Sequence, residues 1–131
     1  MANYYGSART NYFRVKNEKA FVAWAEKREL KVVVNPERVG EFVLLPMSED
    51  GSFPSYDLEA EAEIDFVQEL AAQLAKDSVA VIVEAGAEKL PYLVGRATAV
   101  NAKGEVVEVS LNDIYQLATE GFGIEPTRVE Y

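Results

Sequence analysis

Residues 79–109 read VAVIVEAGAEKLPYLVGRATAVNAKGEVVEV, and the way this stretch divides decides the fold. Its start, VAVIV at 79–83, is continuously apolar and rich in β-branched residues, which predicts a central strand buried on both faces. YLVGRATAV at 92–100 and EVVEV at 105–109 flank NAKG, which predicts a hairpin with Gly104 in its turn. In the second arm Val106 and Glu108 alternate imperfectly with Glu105, Val107 and Val109, so the pattern leaves its facing open.

Working outward, YFRV at 12–15 reads as a short strand. Asn17 then caps a helix through EKAFVAWAEKREL, with Phe21, Trp24, Ala25 and Leu30 on its apolar face. Trp24 reads as a core residue. KVVV at 31–34 and EFVLL at 41–45 form a hairpin across Asn35-Pro36 and Gly40. PMSEDGSFPSY at 46–56 has the composition of a loop. Asp65 caps a second helix, with Gln68 placed to complete a capping box and Phe66, Val67, Leu70, Ala71 and Leu74 facing inward. A third helix, DIYQLATE at 113–120, is capped by Ser110 or Asn112 and stopped by Gly121. The order is βαββαβββα. It predicts a single α+β domain over residues 1–131, with three helices on a mixed or antiparallel sheet of about six strands.

The 131 residues contain no cysteine and no histidine. Disulfides, thiolate chemistry, His-bound metals and Ser-His-Asp hydrolysis are thereby excluded. No catalytic, cofactor or metal motif is found: SEDGS at 48–52 lacks the rest of a calcium loop, and GAEKLPYLVGR at 86–96 is not a phosphate-binding loop. No apolar run approaches the ~20 residues that span a bilayer. The N-terminus lacks an apolar signal core, so the expectation is a cytoplasmic protein with no membrane partner.

The net charge is −9, and residues 41–77 alone, with ten Asp/Glu and one Lys, carry that amount. Within them, YDLEAEAEIDF at 56–66 places Asp57, Glu59, Glu61, Glu63 and Asp65 on alternate positions. A strand would line all five on one face, and a helix would gather only Asp57, Glu61 and Asp65. Because Asp65 makes a good cap, extended or irregular chain leading into the helix is the preferred reading. The acidic set Glu49, Asp50, Asp57, Glu59, Glu61 and Glu63 points to a non-enzymatic interaction protein that contacts a basic protein surface, whether as a docking protein, a nucleic-acid mimic or an inhibitor. Two alternatives stand beside it. One is a ligand or enzyme pocket built from Glu84, Glu88, Tyr92 and Arg96. The other is nucleic-acid binding through Tyr4, Tyr5, Arg9 and Arg14, against which the overall acidity argues.

Three stretches, NYFRVKNEKAF at 11–21, IDFVQELAAQLA at 64–75 and VEAGAEKLPYLVGRATAVNAKGEVVEVSLNDIYQLA at 83–118, together resemble a group of small uncharacterised bacterial proteins of the kind carried on plasmids and other mobile elements. The resemblance implies a cytoplasmic accessory protein and is compatible with an acidic inhibitor. It assigns no catalytic or binding residue.

Overall fold

Residues 79–110 fold as three consecutive antiparallel strands, but the first is longer than its apolar start. In the computed structural model, which describes residues 5–89 and 92–128 and only the backbone course of residues 5, 88, 89 and 92, the chain runs as follows. The elements are β1 (Tyr5–Thr10), β2 (Phe13–Arg14), α1 (Glu18–Lys27), β3 (Leu30–Val34), β4 (Glu41–Pro46), β5 (Tyr56–Asp57), β6 (Ala62–Glu63), α2 (Phe66–Gln73), β7 (Val79–Lys89), β8 (Tyr92–Asn101), β9 (Val106–Ser110) and α3 (Asp113–Phe122). The class is α+β, with three helices and antiparallel strands. The strands divide among a four-stranded sheet β1-β7-β8-β9, a three-stranded sheet β2-β4-β3 and the β5-β6 hairpin, where the sequence suggested one sheet of about six.

Three strands went unrecognised for physical reasons. β1, YGSART, carries no large apolar alternation and pairs its small residues against those of β7: Gly6 with Gly86 and Ser7 with Ala85. Asn11 then extends this ladder with its side chain, accepting from the Val81 N–H at 2.8 Å and donating to the Val79 carbonyl at 3.1 Å. β5 and β6 have two residues each, too short for a periodic signal. The expected strand at 12–15 is reduced to β2, because Tyr12 is exposed between the two sheets while Phe13 is buried.

The helices begin where local chemistry dictates. The Asn17 side chain accepts the Ala20 N–H at 2.9 Å, and Asp65 accepts the Gln68 N–H at 3.2 Å, each an N-cap. Gln68 does not close a capping box. It donates instead to the Gly104 carbonyl at 3.0 Å, tying α2 to the β8–β9 turn. α1 stops at Lys27, and Leu30 belongs to β3. α3 runs through Gly121 and ends at Gly123, whose φ of 71° is the left-handed conformation a helix stop requires. Asn112 makes no side-chain cap; Asp113 Oδ2 accepts the Ser110 N–H instead, at 2.6 Å.

One core joins the sheets and two helices. Phe21 of α1 meets Phe13 edge-on at 5.7 Å and Phe42 at 5.4 Å. Trp24, partly buried, stacks on Phe66 of α2 at 5.7 Å, and Phe66 on Phe53 at 4.7 Å. Leu44, Leu70, Ala80, Ile82 and Val100 fill the space beneath. Thr10 is fully buried where the sheets meet; its Oγ1 accepts the Leu44 N–H of β4 and donates to the Asn11 carbonyl, both at 2.9 Å.

Only one face of the four-stranded sheet belongs to this core. Ala80 and Ile82 of β7 and Thr98 and Val100 of β8 point inward and are buried. The alternate residues point outward, so Val79 is 48% and Val83 37% exposed. VAVIV is therefore central in strand order yet open on one side, which corrects the expectation that both faces are buried. The facing that the β9 pattern left open is settled too: Val107 and Val109 lie on the outward face, opposite Ala99 and Ala97. They are 71% and 55% exposed.

Candidate functional site

The acidic stretch is neither a row nor a helix. β5 and β6 pair Tyr56 with Glu63 and Asp57 with Ala62, across a turn that takes Glu61 to a φ of 52°. Asp57 turns inward, while Glu59, Glu61 and Glu63 are exposed on the hairpin.

Asp57 is held by Arg28, which follows the last turn of α1, where the helix dipole favours a cation. Arg28 Nη1 donates to Asp57 Oδ2 at 2.7 Å, and its Nε and Nη2 form a fork onto Glu69 Oε1 and Oε2 at 2.8 and 2.9 Å. Trp24 Nε1 adds a bond to the same Glu69 Oε1 at 2.9 Å. The second oxygen of Asp57 accepts the Ala60 N–H at 3.0 Å and shapes the hairpin turn. The guanidinium is the largest cause lowering the pKa of both carboxyls, aided by Ala60 at Asp57 and by Trp24 at Glu69, against some desolvation. Arg28 is raised in turn, by Glu69 first and Asp57 second. One cation thus clamps the hairpin to both α1 and α2.

Asp50 is also engaged locally. It accepts from Ser52 Oγ at 2.7 Å, Ser52 N–H at 3.1 Å and Ser48 Oγ at 2.8 Å, and these bonds, Ser52 foremost, lower its pKa. Its carbonyl accepts the Gly6 N–H at 3.0 Å, which joins the loop to β1. Glu49 beside it is exposed.

The loop and the hairpin come together around a cleft of about 350 Å³, with Met47, Tyr56 and Leu58 among its lining residues. These three are 59%, 49% and 85% exposed. Arg28 and Glu29 form part of the wall, and a neighbouring hollow of about 300 Å³ reaches Glu59. The structure therefore sets Glu59 beside the apolar residues and Glu63 opposite Tyr56 in the hairpin register, leaves Glu49 and Glu61 exposed outside the lining of both hollows, and commits the Asp50 and Asp57 carboxylates to the scaffold.

The other candidates are placed as follows. Glu84 and Arg96 face each other across β7 and β8, with Arg96 Nη2 3.0 Å from Glu84 Oε2 and Nη1 3.7 Å from Glu108. They border a cleft of about 540 Å³ that Phe53, Asp65, Phe66, Ile82 and Thr98 also line. The Glu88 and Tyr92 side chains lie outside the described residues. Arg9 stands on the outward face of β1 and bonds the Thr10 carbonyl at 3.2 Å. Arg14 is on β2, in the other sheet, and pairs with Asp77 at 2.7 Å; that carboxyl is lowered chiefly by this bond. Tyr4 and the Tyr5 side chain lie outside the described residues. Among the described residues no cluster of three or more Asp/Glu is arranged to hold a metal, and no helix is long and apolar enough to cross a membrane.

Sequence reasoning missed the apolar members of the acidic cleft and the open sheet face. Exposed Met47, Tyr56 and Leu58 were readable only as loop residues, because their nearness depends on Arg28 drawing the hairpin in. Comparison with family models, curated proteins and solved structures returns no match.

Proposed function

We propose that this chain is a non-enzymatic interaction protein whose acidic-rimmed cleft takes a basic, amphipathic segment of another protein. The observation that carries the reading is the exposure of Met47, Tyr56 and Leu58 along one cleft, with Glu59 in the adjoining hollow, Glu63 opposite Tyr56, and Glu49 and Glu61 exposed on the same loop and hairpin. Methionine and aromatic side chains inside a polar rim are the composition of a protein contact. The carboxylates steer a cationic partner and suppress acidic ones. The Arg28 clamp holds the hairpin in place before binding, which lowers the ordering cost of association.

The test is affinity capture with purified protein at rising salt, with partners identified by mass spectrometry. Partners held through this cleft elute steeply as salt rises. They are lost from a Leu58→Ser variant and from a Glu59→Gln/Glu61→Gln/Glu63→Gln variant, since none of these side chains is buried. Capture that is unchanged in both variants, or indifferent to salt, sinks the proposal.

The cleft beside Glu84 and Arg96 supports a second reading, a small anionic ligand, because it has the volume of a ligand site. Arg96 is already charge-compensated by Glu84 and Glu108, which is why this reading ranks below the first. A thermal-shift screen of small carboxylates and phosphates that stabilises the wild type but not Arg96→Gln would reverse the order.

A further inference from the structure

We infer that the outward face of the four-stranded sheet is the seat of helix α3 from a second copy of this chain, giving a two-fold dimer. The inference stands on surfaces separate from the acidic cleft.

The face has the shape of a trough. Across the strands, Val81, Ala99 and Val107 stand in register, followed by Val83, Ala97 and Val109. Valines on β7 and β9 form two ridges, and Ala97 and Ala99 on β8 form the floor between them. Two strand spacings set the ridges ~10 Å apart, close to the ~10–12 Å diameter of a helix. Beyond Ala97 the floor is closed by the chain's own Leu111, which lies over Gly95.

α3 has the matching shape, and among the described residues its one aromatic contact is with Arg128, whose guanidinium carbon lies 4.3 Å from the Tyr115 ring centroid, leaving the apolar stripe exposed. Ile114, Leu117, Ala118, Gly121 and Phe122 fall on one stripe at helical spacing. None of its residues is buried, and Ile114, Leu117 and Phe122 are 61%, 60% and 79% exposed. The stripe is ~12 Å long at ~1.5 Å per residue.

The helix does not cover its own sheet. Only Leu111 and Asn112 separate it from β9. That link is fixed by the Leu111 N–H to the Gly95 carbonyl at 3.1 Å and by the Ser110–Asp113 bond. The Leu111 side chain rests against Gly95, so closely that a Cβ there would collide with it. Val107 and Val109 stay open beyond it. The reciprocal arrangement, helix of each copy on sheet of the other, is the self-complementary pattern of a two-fold dimer.

Size and charge agree. The seven exposed apolar side chains, Val79, Val83, Val107 and Val109 of the trough and Ile114, Leu117 and Phe122 of α3, at ~100 Å² each total on the order of 700 Å². This approaches the ~800 Å² per partner of a standard interface. Two copies of net charge −9 repel elsewhere, but the apolar rows of the outward face carry no carboxylate, Glu105 at the β8–β9 end is held by Asn101, and Arg9 is a cation on that face. Glu120 on the flank of α3 is its natural counter-charge.

The experiment is sedimentation equilibrium of the full chain across a wide concentration range, at low and high salt. The expected result is a monomer–dimer equilibrium that salt does not weaken. Leu117→Asp and Val107→Asp should each raise the dissociation constant about tenfold or more. Leu117→Asp should keep the wild-type circular dichroism spectrum, because Leu117 is 60% exposed and is no part of the core. The chain has no cysteine, so mixing Ala97→Cys protein with Leu117→Cys protein under mild oxidation should give a disulfide-linked pair in higher yield than either protein alone. A chain that stays monomeric, a dimer indifferent to Leu117→Asp, or a mixture that does not cross-link overturns the inference. None of these outcomes touches the acidic cleft, whose variants lie on other residues.

Discussion

At Thr10 a buried hydroxyl takes the Leu44 N–H that no strand partner reaches, so the cost of losing it can be stated. Thr10→Val keeps the volume and removes the acceptor, leaving a buried donor unpaired. The expected loss is ~1–3 kcal/mol by urea denaturation, whereas Thr10→Ser retains the bond and loses less. Gly51 offers a second prediction at this scale. Its φ is 75°, and a Cβ would be driven into the Gly6 carbonyl. Gly51→Ala should therefore free the Asp50 carbonyl from the Gly6 N–H, which faster hydrogen exchange at Gly6 would report. The caps Asn17 and Asp65 were legible in the sequence, because each bonds an amide three residues ahead. Thr10, Arg28 and Gln68 were not. Their partners lie 34, 41 and 36 residues away, and no local pattern encodes such distances.

Among the elements, the β5–β6 hairpin owes its position to a residue outside it. A two-stranded hairpin is marginal alone in water, so Arg28→Met should release residues 56–63 before it unfolds the core. Hydrogen exchange there should rise while protection around Leu44 and Leu70 holds. The pH dependence follows from the clamp. Asp57 and Glu69 have lowered pKa values in the folded protein, so their contribution is complete above the ordinary carboxyl range near ~4 and vanishes as pH falls through the lowered values. The stability gap between wild type and Arg28→Met should thus be full at neutral pH and shrink below ~4. The helices and the β3–β4 and β8–β9 hairpins could be read from periodicity and turn residues. β1 could not, since its small residues acquire strand geometry only by pairing with β7. The extension of β7 through Glu84–Lys89 was hidden in the same way, its small and charged residues giving no strand signal.

For the molecule as a whole, the same sign applies to every lowered carboxyl. Asp50, Asp57, Glu69 and Asp77 each favour the folded state above the carboxyl range. The melting temperature should be flat from neutral pH down to ~5 and fall steeply below ~4, with a profile set by uptake of protons on unfolding. A melting temperature that rose under acid would contradict these assignments. The α+β class was legible in the mixed order of elements. The division into separate sheets was not, because it depends on which distant strands pair. The open face of VAVIV was misread for a related reason: an apolar run records that burial is needed, without recording whether the same chain supplies it.

The pairing of β1 with β7 also sets an order of events during synthesis. Asn11 and Val81 are bonded across 70 residues, so the four-stranded sheet cannot close until its C-terminal half has left the ribosome. At ~5–20 residues per second that wait lasts several seconds, far longer than hairpin formation, which takes microseconds. The β3–β4 hairpin, whose contacts are local, has time to form first. During the wait β1 is a bare strand in which only Tyr5 and Thr10 favour strand pairing, and the Gly, Ser, Ala and Arg between them give it little appetite for a wrong partner. The weak strand character that hides β1 from periodicity is what lets the nascent chain carry it unpaired until β7 arrives.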